Sequence, residues 1–285
     1  MNVYEIITNM IIEEIEAGTI PWKKPWKDGF PVRYESGEPY SLLNRMLLPK
    51  SGEYLGYKAI KKLGGKIRNY NPHIIVGYFP IETVKKVKRD GIEEEESSKY
   101  LKPRYFKVFH LDDIDGIPSK LPETINTNSK IISAEELVCD YSKTLKVKND
   151  YKGAYYSPTL DYVNVPNLAN FDSSEKYYST LFHELVHSTG HKKRLNRFTS
   201  EDQFQFGSES YSFEELVAEI GSSMLCSMSG IIDSTIDNSA SYIDGWLTQL
   251  RNDHKLIFKA SSKAQKSCEF IISHKNSEKG SKNIA

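Results

Sequence analysis

The chain has 285 residues, enough for two domains with cores of their own, and its 39% hydrophobic and 27% charged content is that of an ordinary soluble protein rather than a disordered or collagen-like one. Lysine plus arginine equals aspartate plus glutamate at 38 each, so net charge selects no partner and any nucleic-acid face must be local. Cys139, Cys226 and Cys268 are an odd number at wide spacing; they exclude a disulfide framework and a cysteine-rich zinc site, and point to a reducing, cytoplasmic compartment.

Residues 3–17 predict a first helix, with Val3, Ile6, Ile7, Met10, Ile11 and Ile15 on one face and Gly18 as its stop. Glu5, Glu13, Glu14 and Glu16 interrupt the apolar residues, so the segment reads neither as a signal peptide nor as a membrane span. Ile20-Pro21-Trp22-Lys23-Lys24-Pro25-Trp26-Lys27 then places two tryptophans, three lysines and two prolines in eight residues. Proline favours an extended backbone, which would set rings and cations side by side. From residue 20 to 75 there are eleven Lys/Arg against four Asp/Glu, with Tyr34, Tyr40, Tyr54, Tyr57 and Tyr70 interleaved. Cations meet phosphates, and rings stack on unpaired bases for about 1–3 kcal/mol each. The segment therefore suits single-stranded nucleic acid, with Trp22, Lys23, Lys24 and Trp26 as the candidate contacts. The competing reading makes the tryptophans core and the lysines merely solvated.

Ile74–Phe79 and Tyr105–Phe109 predict strands. Between them lie a basic run, Lys85–Arg89, and an acidic run, Glu93–Glu96, which with Ser97 and Ser98 reads as the mobile loop tip of a hairpin. Asp112–Asn128, rich in Asp, Pro, Asn and Gly, reads as the connection between domains. Ser133 with Glu136 predicts a capped helix through about Leu145. Ala154–Ser157 and Tyr162–Pro166 follow as short strands, and an edge strand there would let an extended peptide pair with its backbone.

The next segment carries the chemistry. Asp172 followed by Glu175 reads as a capping box, Tyr178, Leu181, Phe182, Leu185 and Val186 give an apolar face, and Gly190 is a stop. The helix so defined contains His183-Glu184-Leu185-Val186-His187, an HExxH pattern. Residues four apart on a helix are about 6 Å apart along the axis and nearly on one face, so His183 and His187 can aim at one ion. Glu184 sits where its carboxylate can take a proton from water at that ion. Beyond the motif, Lys192–Gly207 is loop-like, 213–228 is a helix with Gly230 as its stop, Ser239 to about Ile272 is largely helical, and 274–285 is a polar, disordered tail.

A catalytic zinc takes three protein ligands and leaves a place for water. His191 lies eight residues beyond His183, about 12 Å along an unbroken helix, and reaches the same ion only if Gly190 bends the chain back. Glu215 and Glu219 share a face of the following helix; one would bind the metal while the other accepts a hydrogen bond from a ligand histidine. Two carboxylates on an otherwise apolar helix favour that pair over the bland alternatives, a capping partner of Ser212 and a solvated glutamate.

The segment Ala17–Trp26, Gly37-x-Pro39-Tyr40 with Asn44, Leu63–Arg68, Tyr105–Phe109, His183–Arg197, Phe206–Gly221, Trp246 and Ala264-Gln265 together resemble the ArdC-type antirestriction proteins of plasmids, phages and other mobile elements. The resemblance covers nearly the whole chain apart from the acidic run and the tail. It implies a single-stranded DNA-binding domain joined to a zincin-like metallopeptidase domain, with His183 and His187 as ligands of a zinc ion, Glu184 as base and a glutamate of the following helix as third ligand, for which Glu215 fits best; Glu219 is then left for the role behind a ligand histidine. The expected fold is α+β: a small mixed N-terminal domain over 1–115, then a helix-rich zincin-like domain with a short sheet over 130–273. The expected partners are single-stranded DNA, a protein or peptide substrate and a restriction enzyme, and no membrane. The runner-up is a non-enzymatic protein that coats single-stranded DNA or inhibits a restriction enzyme, with a structural or vestigial metal.

Overall fold

The computed structural model describes residues 2–17, 20–23, 30–89, 92–121, 130–150, 153–171, 173–198, 209–231 and 240–273. The fold is α+β. Helix α1 (Val3–Glu16) starts on a capping box in which the Asn2 side chain accepts from the Glu5 N–H and the Glu5 side chain accepts from the Asn2 N–H. It buries Ile7, Ile11, Ile12 and Ile15.

A four-stranded sheet follows, with order β1 (Pro31–Arg33), β2 (Gly52–Gly56), β5 (Ile92–His110), β4 (His73–Arg89). Helices α2 (Leu42–Leu47) and α3 (Tyr57–Lys62) connect these strands, and β3 (Lys66–Ile67) pairs with β6 (Ile114–Asp115) in a small second sheet. Strand β4 is an edge, and Asn44 masks part of it: its side chain donates to the Val76 carbonyl at 2.8 Å and accepts from the Val76 N–H at 2.7 Å.

Two expectations are corrected here. The run Glu93–Ser98 is no loop tip, because it lies in the ladder, which continues outward through Lys85↔Glu96 and Lys88↔Glu93 to Arg89↔Ile92. The register sets a basic strand opposite an acidic one, a charge pattern that favours pairing. The connection between the two halves is also shorter than Asp112–Asn128. Residues 114–121 return to the first half, where Pro118 accepts from the Tyr34 hydroxyl, and the Ser119 hydroxyl and Lys120 N–H donate to the buried Glu53 carboxylate.

The second half opens with α4 (Lys130–Thr144), in which Ser133 is an interior residue donating to the Ser229 carbonyl rather than a cap. A three-stranded sheet of order β7 (Lys146–Lys148), β9 (Tyr162–Asn164), β8 (Tyr155–Ser157) leaves β8 as an edge. Helices α5 (Ser174–Thr189), α6 (Glu209–Met228), α7 (Ala240–Asn252) and α8 (Leu256–Ser273) complete it. Ser173 caps α5, its hydroxyl accepting from the Lys176 N–H; Asp172 lies outside the described residues. Ser212 falls inside α6, so it caps nothing there. Gly230 does end α6 in the left-handed region, at φ +69°. Gly190 ends α5 for a different reason than expected: its φ is an ordinary −71°, but a Cβ would lie 2.4 Å from the Phe198 ring. The predicted tail, 274–285, lies outside the described residues. Among those residues, no helix is long and apolar enough to cross a membrane.

The main apolar core draws on both halves. Ile7, Ile11, Trp22 and Met46 lie in one buried cluster with Leu181, Leu216, Trp246 and Leu250. This corrects the reading of Trp22 as a stacking surface. It is 4% exposed, its ring packs edge-on to Trp246 at 5.5 Å, and its carbonyl accepts from the Ser223 hydroxyl. Lys23 ends a short 3-10 turn, Pro21–Lys23, while Lys24 and Trp26 lie outside the described residues.

Candidate metal centre

Helices α5 and α6 pack against each other, with the Gly221 backbone close against the side chain of Val186. A Cβ at Gly221 would sit 2.8 Å from a Val186 methyl, so glycine there lets the helices approach. The approach brings His183, His187 and Glu215 together. The two Nε2 atoms are 3.1 Å apart, and each is 3.4 Å from a Glu215 carboxylate oxygen. Two nitrogens about 2.05 Å from a tetrahedral Zn²⁺ would be about 3.3 Å apart. The donor types and the edges of this triangle therefore fit a divalent transition ion.

Each imidazole has a carboxylate behind it. The His183 Nδ1 faces Glu219 at 3.7 Å, and the His187 Nδ1 faces Glu214 at 3.3 Å. Both Nε2 atoms face the common centre, and the His187 ring is held there by its hydrogen bond to Glu214. Burial disfavours the His187 cation, but the Glu214 and Glu215 carboxylates outweigh it and raise its pKa to about 10. Burial also opposes the Glu215 anion, yet the two histidines hold its pKa far below the usual carboxylate range. This mutual charge compensation belongs to the site without an ion, since bound imidazoles must be neutral.

Sequence reasoning missed Glu214 and Arg197. Arg197 is 7% exposed and forks onto Glu214, with Nε–Oε2 at 2.9 Å and Nη2–Oε1 at 2.5 Å. Its remaining donors reach Val186 O, Thr189 Oγ1 and Ser267 Oγ, so α5, α6 and α8 all meet on one guanidinium. The signal was the adjacent pair Glu214-Glu215, of which only one was given a role. Arg197→Ala would strand a buried carboxylate, at a cost of about 3–5 kcal/mol. It is also expected to weaken metal binding about 10- to 100-fold, read by competition with a chelator. A chain with unchanged melting temperature and unchanged metal affinity would show that Arg197 neither supports the core nor orients His187.

His191 is not brought to the centre. It is buried beside Asp161, 3.6 Å from Nδ1, and its Nδ1 accepts from the Lys193 N–H. Nearby, Arg194 pairs with Asp161 and donates to the Ser188 carbonyl, and the Tyr156 hydroxyl donates to Asp161 at 2.8 Å. The stretch after the motif thus ties β8 and its turn to the end of α5.

Glu184 is 7% exposed, with burial pushing its carboxyl pKa up against the pull of the two histidines. With His183, His187, Glu215, Tyr211 and the Ala154–Tyr156 segment it lines an open cleft of about 410 Å³.

Paired imidazoles on one helix, a carboxylate from the next and an edge strand across the cleft define a zincin-like domain. Residues 133–263 match the family model described as zincin-like metallopeptidase, and residues 1–110 match that of the N-terminal domain of the anti-restriction factor ArdC. The metal-free crystal structure of the antirestriction ArdC protein from plasmid R388 is 34% identical with a TM-score of 0.75, covering 97% of this chain and 98% of that one. The Mn(II)-bound structure of that protein gives 33% and 0.73. The chain belongs to the ArdC antirestriction family. It is also 30% identical to an uncharacterized Sinorhizobium fredii protein, y4eC, over 91% of that protein's length. It is 30% and 29% identical to two Escherichia coli DNA primases TraC, of which it spans only 27% and 20%.

Proposed function

We propose that this chain is a metal-dependent peptidase, with zinc as the ion, that also binds single-stranded DNA. The observation that carries the reading is Glu184, a buried carboxylate on the wall of the cleft where three metal-binding side chains converge. His183, His187 and Glu215 would hold the ion. A divalent ion there supplies Lewis acidity and makes water nucleophilic at neutral pH. Glu219 and Glu214 keep the imidazoles oriented. Glu184 takes a proton from the attacking water and returns it to the leaving amine. An extended peptide lies along β8, whose outward backbone groups pair with it.

Support for the DNA-binding half comes from the match to the ArdC N-terminal domain and from the local excess of basic residues over 20–75. The test is cleavage of an unstructured protein, with and without single-stranded DNA, by the wild type and Glu184→Ala. Loss of the base should lower the rate about 10²- to 10⁴-fold. Equal rates in the two proteins, or no cleavage by a metal-loaded wild type, would favour the non-enzymatic DNA-coating or restriction-inhibiting alternative.

A further inference from the structure

We infer that one face of the β4–β5 ribbon, carrying Phe79, Tyr100, Lys102, Arg104 and Phe106, is the platform on which single-stranded DNA stacks. This rests on the single-strand reading above and gives it a surface. The register pairs Ile75 with Phe106, Gly77 with Arg104, Phe79 with Lys102 and Ile81 with Tyr100. Directly opposed residues share a face, so these side chains form one continuous strip.

Phe79, Phe106 and Tyr100 are 39%, 40% and 50% exposed, far more than aromatic rings that serve a core. They are also organised. The Phe79 and Phe106 centroids are 5.5 Å apart, and the Arg104 guanidinium carbon lies 5.5 Å over the Phe79 ring. Both rings lean over Gly77, where a Cβ would come within 3.1 Å of Phe106 and 3.3 Å of Phe79.

At the base of this face Ile75 packs against the buried cluster of Tyr40, Leu48, Tyr54 and Val108; on the other face Val76 is core, and Tyr78 and Leu101 border a cleft with Leu43, Phe258 and Gln265. Among the described residues, Phe79, Tyr100 and Phe106 belong to none of the buried clusters. An exposed apolar patch of this kind marks a binding surface, and its charge selects the occupant. Lys102 and Arg104 are exposed, and residues 75–81 and 100–106 contain no carboxylate. An anionic ligand with planar apolar faces fits this surface. Single-stranded DNA offers both, whereas duplex hides its base faces.

The full-length chain is tested with labelled oligothymidylate and with duplex of the same length. The wild type should prefer the single strand. Phe79→Ala and Phe106→Ala should each weaken it about tenfold or more while leaving duplex binding and the melting temperature unchanged. Lys102→Gln and Arg104→Gln should each reduce the salt slope of single-strand binding by about 0.7. A wild type that prefers the single strand, with ring and charge variants that bind like it, would overturn the platform and leave the single-strand reading standing. A wild type with no such preference would overturn both. If the ring variants turn a wild-type dimer into monomers and bind DNA normally, the strip is a contact between copies and the inference fails.

Discussion

Replacing His183 or His187 by alanine is expected to take the chain from about one bound divalent ion to none that survives dialysis. Each imidazole supplies one edge of a three-point site, and two remaining donors cannot hold the ion against competing water. Glu184→Ala should retain the ion, because that carboxylate is not one of the three side chains that converge. Glu215→Ala should behave like the histidine variants and His191→Ala like the wild type. Elemental analysis of the dialysed proteins decides the matter. Full occupancy in both histidine variants would remove the site assignment, and loss of metal in His191→Ala with retention in Glu215→Ala would reverse the choice of third ligand.

Trp22→Ala is expected to destabilise the whole chain, not to subtract a DNA contact. A buried tryptophan removed from a packed core costs about 3–5 kcal/mol, and for a chain of this size that is a fall of roughly 10 °C in Tm. The ring lies against Trp246 of α7, so the loss should appear as one earlier unfolding transition that includes the zincin-like half. The shared core also predicts that residues 1–110 expressed alone expose the apolar face of α1. Scanning calorimetry reads the effect. An unchanged Tm combined with lost single-strand binding would falsify the core assignment and return Trp22 to the DNA.

The elements that carry chemistry were legible because their spacing is local. Two histidines four apart on an amphipathic helix, and a glutamate on the next, need only the 3.6-residue period to be placed. What the sequence concealed is non-local. Glu214 and Arg197 are separated by a segment whose path the sequence does not give, and only the α5–α6 packing brings them together. Trp22 misled for a related reason. Lysines and prolines around a tryptophan describe its neighbours in the chain, whereas its burial is decided by Trp246, more than two hundred residues away. The acidic run misled through composition: four glutamates in a row read as a loop tip, whereas the register places them in a strand opposite a basic one.

The shortness of β8 has a kinetic meaning. It is three residues long, and alternate residues of an edge strand direct their backbone groups outward, so a peptide bound as proposed would gain only a few main-chain hydrogen bonds there. At about 0.5–1.5 kcal/mol net each, such bonds give weak capture of a substrate arriving from bulk solution. A weak site works when its substrate is held nearby: tethering raises the local concentration to about the millimolar range without adding a contact. If both proposed activities hold, a shared strand of DNA would supply that tether, and the peptidase would act on proteins gathered on the same strand while sparing those that only diffuse past.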